Sequence, residues 1–265
     1  MAIVDAHCHA SLSWLEPVEM LLFQMDTYGV DKAVLVQHGG EYDNSYLLAC
    51  AEQHLGRFAV MGMVDPTLPD APETLAAWHA RGVGSVRLFA PPGAAFVANR
   101  SDPVALWRKA AELGMPVSSP SNALEISAPS FQALIEELPD LQLILEHYGF
   151  LRLREDQQEE AYEKLLEFAR FPNVTMKIHG LGELIPRPSP LRNPTFDVEQ
   201  APDHIDRAMQ TFGAHRLMLA TDWPLSARRE GYSNVFSYLK AYLSRYSTNQ
   251  QAAVLPSTAE RTFAL

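Results

Sequence analysis

The 265-residue sequence is 47% hydrophobic and carries a formal net charge of −11. That charge argues against a nucleic-acid partner, because a phosphate backbone calls for a basic face. No apolar run approaches membrane-spanning length, the first residues open a strand rather than a signal peptide, and two cysteines make no disulfide framework. A cytoplasmic protein with no membrane association is the expectation. Its acidic surface is compatible with a monomer or a homo-oligomer.

The first stretch, Ile3 to His9, reads as a short buried strand carrying Asp5, His7 and His9. Alternate residues of an extended chain share a face, so the two histidines project together at its carboxyl end while Cys8 points into the core. A loop holding Trp14 leads to a helix over Glu16–Tyr28, ended by Gly29. Lys32–Gln37 is a second strand with His38 at its tip, followed by a helix over Asn44–His54. Phe58–Val64 is the third strand, closed by Asp65-Pro66, and Pro72–Ala80 the next helix. Val83–Phe89 is the fourth strand, ending near Arg87 before the loop Pro91-Pro92-Gly93. Asp102 is placed to cap a helix reaching Leu113, with Pro103 at its first position.

Met115–Ser119 is a short, proline-containing fifth strand, and Pro129–Leu138 is helical. Leu141–Glu146 is a sixth strand with His147-Tyr148-Gly149 at its exit, followed by a long helix over Glu155–Phe171. Val174–Ile178 is the seventh strand, with His179-Gly180 at its end. The proline-rich run Leu184–Pro194 follows a strand end and reads as an active-site loop. A helix over Val198–Phe212 precedes the eighth strand, Leu217–Ala220, which leads into Thr221-Asp222-Trp223-Pro224. Helices near Tyr232–Tyr246 and Ser257–Leu265 finish the chain.

Eight apolar strands, each followed by a helix, at about 33 residues per unit are the pattern of a single (β/α)8 barrel over residues 1–265. An open doubly wound sheet fits the alternation too, but no glycine-rich phosphate turn follows the first strand.

In a barrel, functional groups gather at the carboxyl ends of the strands. Five of the nine histidines, His7, His9, His38, His147 and His179, stand at these tips. The other four, His54, His79, His204 and His215, are expected on the solvated surface. His7, His9, His147 and Asp222 are the sharpest set. Three imidazoles and a carboxylate can hold one divalent metal, Zn or Mn, and lower the pKa of a bound water. They can equally work metal-free, with the imidazoles on a reacting carbonyl and Asp222 taking a proton from water. The alternatives are structural: His147 bonded to backbone at a strand end, and Asp222 capping the next helix. Asp5 is read as supporting a histidine or the barrel wall. Arg87, Lys177 and His179 are candidate binders for a small carboxylate-bearing substrate, with an ion pair across the barrel mouth as the alternative for Arg87. Tyr148, Trp14 and Trp223 form an aromatic wall or simply pack.

Val-Asp-Ala-His-Cys-His near the start and Ala-Thr-Asp-Trp-Pro near the end resemble the amidohydrolase superfamily. More narrowly they resemble its branch of 2-pyrone-4,6-dicarboxylate lactonase and sugar-acid lactonases. Val34-Leu35-Val36-Gln37 with Tyr42-Asp43-Asn44, Leu145-Glu146-His147-Tyr148-Gly149 and Met176-Lys177-Ile178-His179-Gly180 are similar to further elements of that branch. The resemblance implies a (β/α)8 barrel that hydrolyses a cyclic ester. It implies that His7, His9 and His147 hold the carbonyl oxygen, directly or through a metal, and that Asp222 activates water. Glu146 stands where the branch has Asp, and His179 where it has Ser. Metal-dependent non-oxidative decarboxylation of an aromatic or unsaturated acid is the alternative reaction, although strand five offers Ser118 and Ser119 and no histidine. A non-catalytic barrel that binds a small acid is the reading from another class.

Overall fold

Short runs of β-branched and aliphatic residues build eight strands: β1 (Val4–Cys8), β2 (Lys32–Val36), β3 (Phe58–Gly62), β4 (Ser85–Arg87), β5 (Val117–Ser119), β6 (Leu143–Leu145), β7 (Val174–Ile178) and β8 (Leu217–Leu219). The computed structural model describes residues 2–90, 104–150, 158–180, 184, 189–191, 199 and 201–265. The expected loop Pro91-Pro92-Gly93, the Asp102 cap with Pro103, the start of the helix from Glu155 and most of the Leu184–Pro194 run lie outside them. All neighbouring strands pair in parallel in the order β1 to β8, the arrangement of a (β/α)8 barrel.

The barrel seam joins β1 to the segment after β8. The Asp222 amide donates to the His7 carbonyl at 2.8 Å, and the His9 amide to the Trp223 carbonyl at 2.7 Å. Asp5 reinforces the seam by accepting from the Thr221 amide at 2.9 Å and the Thr221 hydroxyl at 2.5 Å. A bulge between Asp5 and Cys8, where three residues of β1 span two of β2, breaks the simple alternation. That bulge separates Asp5 from the face it would share with His7 in a regular strand, and its carboxylate serves the wall.

Two apolar layers enclose the strands. Val4, Ala6, Val34, Val36, Met61, Ile144 and Met218 fill the barrel interior, where Ala259, Phe263 and Leu265 of the chain's last turns pack on them. The opposite strand faces, including Cys8, Leu35, Val86, Val117, Leu145, Met176 and Leu219, join the helices in a larger outer cluster. Burial of this kind contributes about 25 cal/mol per Å2 of apolar surface. It explains why strands of only three residues suffice.

The helices follow the sequence pattern with trimmed ends: Val18–Tyr28, Ser45–Gln53, Ala71–Ala80, Ala105–Glu112, Pro129–Glu137, Gln158–Leu166 with a tighter turn to Arg170, His204–Thr211, Tyr232–Leu243 and Thr258–Phe263. Gly29 ends the first in a left-handed conformation, φ 68°. A four-residue helix, Ala123–Ile126, was not expected; the Asn122 side chain caps it by accepting from the amides of Leu124 and Glu125. His204 corrects the surface expectation. It is 4% exposed, its ring centre 4.8 Å from that of Tyr162. His215 is exposed, and His54 and His79 are half-buried. No helix among the described residues is long and apolar enough to cross a membrane.

Candidate active site

Above the apolar plug the inward positions turn polar. Arg87, Ser118, Glu146, Lys177 and His7 are all buried there. A buried charge must be paired, and Glu146 is the hub that pairs them. Arg87 donates to it from Nε at 3.1 and 3.2 Å and from Nη2 at 2.7 Å, Ser118 Oγ donates at 2.7 Å, and Lys177 Nζ stands 3.8 Å away. Burial pushes the Glu146 carboxyl up, but the Arg87 and Lys177 charges and these hydrogen bonds outweigh it and bring it to about 2. Burial brings the Lys177 ammonium down to about 8, against the pull of Glu146.

Lys177 links this layer to the tips. The Ser118 hydroxyl gives its one hydrogen to Glu146, so it accepts from Lys177 Nζ at 3.0 Å. The same ammonium meets His7 Nδ1 at 3.0 Å. An ammonium only donates, so His7 carries its proton on Nε2. His9 is oriented the other way: its Nδ1 lies 2.7 Å from the Val36 carbonyl, which can only accept, and its Nε2 faces inward.

The five tip histidines form one arc. Ring centres are 6.0 Å apart for His38 and His9, 4.8 Å for His9 and His7, 4.4 Å for His7 and His147, and 3.5 Å for His147 and His179. Burial first, and then neighbouring cations, hold the pKa of His7, His147 and His179 well below the usual imidazole value. They are therefore neutral at physiological pH. Both ring nitrogens of His147 and Nε2 of His179 are buried without a hydrogen-bond partner among the described residues. At the mouth of the barrel, such atoms are available to a ligand's polar groups.

Asp222 faces this arc. Its Oδ1 lies 3.3 Å from His9 Nε2 and 3.8 Å from His7 Nε2, while Arg229 Nη1 donates to its Oδ2 at 3.1 Å. Burial raises its carboxyl, but the hydrogen bond from His9 and the neighbouring His9, His179 and Arg229 side chains prevail and hold it below the ordinary value. His147 and Asp222 both have left-handed backbones, φ 54° and 57°. Non-glycine residues pay about 1–3 kcal/mol for such conformations, which cluster where function fixes a side chain.

The donor set fits a divalent cation. His7 Nε2, His9 Nε2 and Asp222 Oδ1 are separated by 3.1, 3.3 and 3.8 Å. Tetrahedral ligands at the usual zinc distances stand about 3.3 Å apart. This group and a second one, His7, Glu146 and His147, are the candidate metal sets among the described residues. His147, expected as a fourth ligand, thus stands beside the first triad rather than in it.

The other expected residues are distributed as follows. Arg87 has Nε and Nη2 on Glu146, which realises the ion pair across the mouth. Lys177 lies beneath His7, and Tyr148 is fully buried with its hydroxyl donating to the His179 carbonyl at 3.2 Å. His38 borders a cavity of about 500 Å3 with Trp14, Glu41 and Tyr42. Trp223 packs on Tyr232, ring centres 5.6 Å apart. Sequence reasoning missed Arg229, which touches both Asp222 and His179. Its only signal was a pair of arginines shortly after the eighth tip.

Comparison with known proteins agrees with this layout. The family model described as Amidohydrolase matches residues 4–265. L-fucono-1,5-lactonase of Burkholderia multivorans is 29% identical over 255 residues, covering 91% of this chain and 83% of the relative. A crystal structure of an amidohydrolase from Burkholderia multivorans with bound zinc superposes with a TM-score of 0.81 at 23% identity, covering all of both chains. The 2,6-dihydroxybenzoate decarboxylase from Rhizobium has a TM-score of 0.70 at 15% identity, covering 100% of this chain and 99% of its own.

Proposed function

The chain belongs to the amidohydrolase family, and from that premise we propose that it is a lactonase, opening a small cyclic ester by attack of water. The observation that carries this reading is the Asp222 carboxylate, held ionised and aimed at a row of buried neutral imidazoles. The full-length likeness to L-fucono-1,5-lactonase supports the same reaction class. The decarboxylase likeness extends to the fold alone.

The ester carbonyl lies against His147, whose ring nitrogens have no hydrogen-bond partner among the described residues, with its oxygen receiving an N–H hydrogen bond. Asp222 Oδ1 takes a proton from water as the water oxygen bonds to the carbonyl carbon. The tetrahedral intermediate then collapses: the ring C–O bond breaks, the carbonyl re-forms, and the departing alkoxide takes the proton back from Asp222. The product is the open hydroxy acid. His7, His9 and Asp222 are the residues that would hold a divalent cation, in exchange for the His7 Nε2 proton. A bound cation supplies Lewis-acid polarisation and a more acidic water.

The test is Asp222→Asn, which keeps the shape and removes the base. The expected result is a loss of about 10²–10⁴ in kcat on a lactone panel, with the circular dichroism spectrum unchanged. Full lactone turnover in the variant would remove Asp222 as base.

A further inference from the structure

Arg229 ends the short helical turn Ser226–Arg229 that follows the β8 tip. Its Nη1 donates to Asp222 Oδ2 at 3.1 Å, and its Nη2 meets His179 Nδ1 at 3.3 Å. A guanidinium has donors and no acceptor, so His179 Nδ1 is the accepting nitrogen and the His179 proton sits on Nε2. That Nε2 is buried and has no acceptor among the described residues. The backbone of His179 is held as well, since its carbonyl accepts from the Tyr148 hydroxyl. The ring is thus tied through Nδ1 and the backbone through its carbonyl, while the Nε2–H has no acceptor among the described residues.

His179 stands edge-on to His147, ring centres 3.5 Å apart. If His147 takes the reacting carbonyl, a donor this close meets an oxygen borne by the adjoining ring carbon. We propose that Arg229 is a positioning residue, holding the Asp222 carboxylate in place and locking His179 as a donor through Nε2. That donor makes the site select lactones that carry an oxygen substituent next to the carbonyl. This assignment rests on the lactonase reading for its substrate half. Its tautomer half stands on geometry alone.

Among the described residues, the cations around the site already face carboxylates of the chain. Arg87 and Lys177 serve Glu146, and Arg229 serves Asp222. A hydroxyl oxygen asks only for a neutral donor, which His179 supplies.

The experiment compares δ-valerolactone with its 2-hydroxy derivative for the wild-type enzyme, Arg229→Met and Arg229→Lys, alongside 15N NMR of the histidine side chains. The wild type should favour the 2-hydroxy lactone by about tenfold or more, chiefly through KM, and show His179 protonated at Nε2. Arg229→Met should lose that preference and the single tautomer. Arg229→Lys, able to reach one partner at a time, should be intermediate and guards against a folding defect in the methionine variant. A wild-type His179 protonated at Nδ1, or a preference unchanged in Arg229→Met, would overturn the assignment. Failure of the wild type to open either lactone would overturn the lactonase reading, and the NMR tautomer would still decide the role of Arg229.

Discussion

Glu146 shows how much a single residue can organise in this barrel. It is fully buried, yet it neutralises Arg87 and approaches Lys177, and the ammonium of Lys177 in turn sets the tautomer of His7. Replacing one partner of a buried pair leaves the others uncompensated. Glu146→Gln is therefore expected to cost about 3–5 kcal/mol in chemical denaturation, and a loss below about 1 kcal/mol would contradict the hub role. The pH dependence has a definite sign. The folded-state value near 2 lies below the ordinary 4.5, so the contribution is fully present above 4.5 and is lost as pH falls toward 2. Urea midpoints of the wild type should fall over that window, and the fall should be smaller in Glu146→Gln. The sequence marked Glu146 only as a departure from a familiar pattern. Its role was illegible there because its three partners come from β4, β5 and β7, and no local spacing connects them.

At the scale of elements, the turn after β6 does the positioning. His147, Tyr148, Gly149 and Phe150 all have positive φ, between 52° and 67°, which swings the His147 ring into the mouth between His7 and His179. Gly149 is required twice over. Its φ is +67°, and a Cβ there would lie 2.4 Å from Leu165 Cδ1 and 3.1 Å from the Ala123 Cβ. Gly149→Ala should destabilise by about 2–4 kcal/mol through backbone strain and overpacking, read as a lowered thermal midpoint, and should lower kcat by displacing His147. An unchanged midpoint would show that the turn is not held as described. The strands were legible because their cores are uninterrupted apolar runs, and β7 has the limits its sequence suggests. Asp5 serves the barrel wall through Thr221, one of the two roles its sequence suggested. His204 went astray because its burial depends on Tyr162, a residue 42 positions away.

For the whole molecule, the strand-helix rhythm, with no glycine-rich phosphate turn after the first strand, specified the barrel, and the barrel's geometry specified where chemistry gathers. That is why five histidines scattered over some 170 residues could be read as one site from the sequence, and why they form one arc. What the rhythm does not carry is the pairing of cations. Arg87 and Lys177 suggested a carboxylate-bearing substrate, and both face the one Glu146 carboxylate, which balances one of their two charges. As a lactonase, the protein adds water to an ester carbonyl in this arc. The most direct measurement is mass spectrometry of the product formed from a δ-lactone in 18O-enriched water. The expected product is an acid heavier than the lactone by one water, with a single 18O in its carboxylate. With a panel of aromatic acids in the same assay, loss of carbon dioxide and no lactone opened would contradict the lactonase reading.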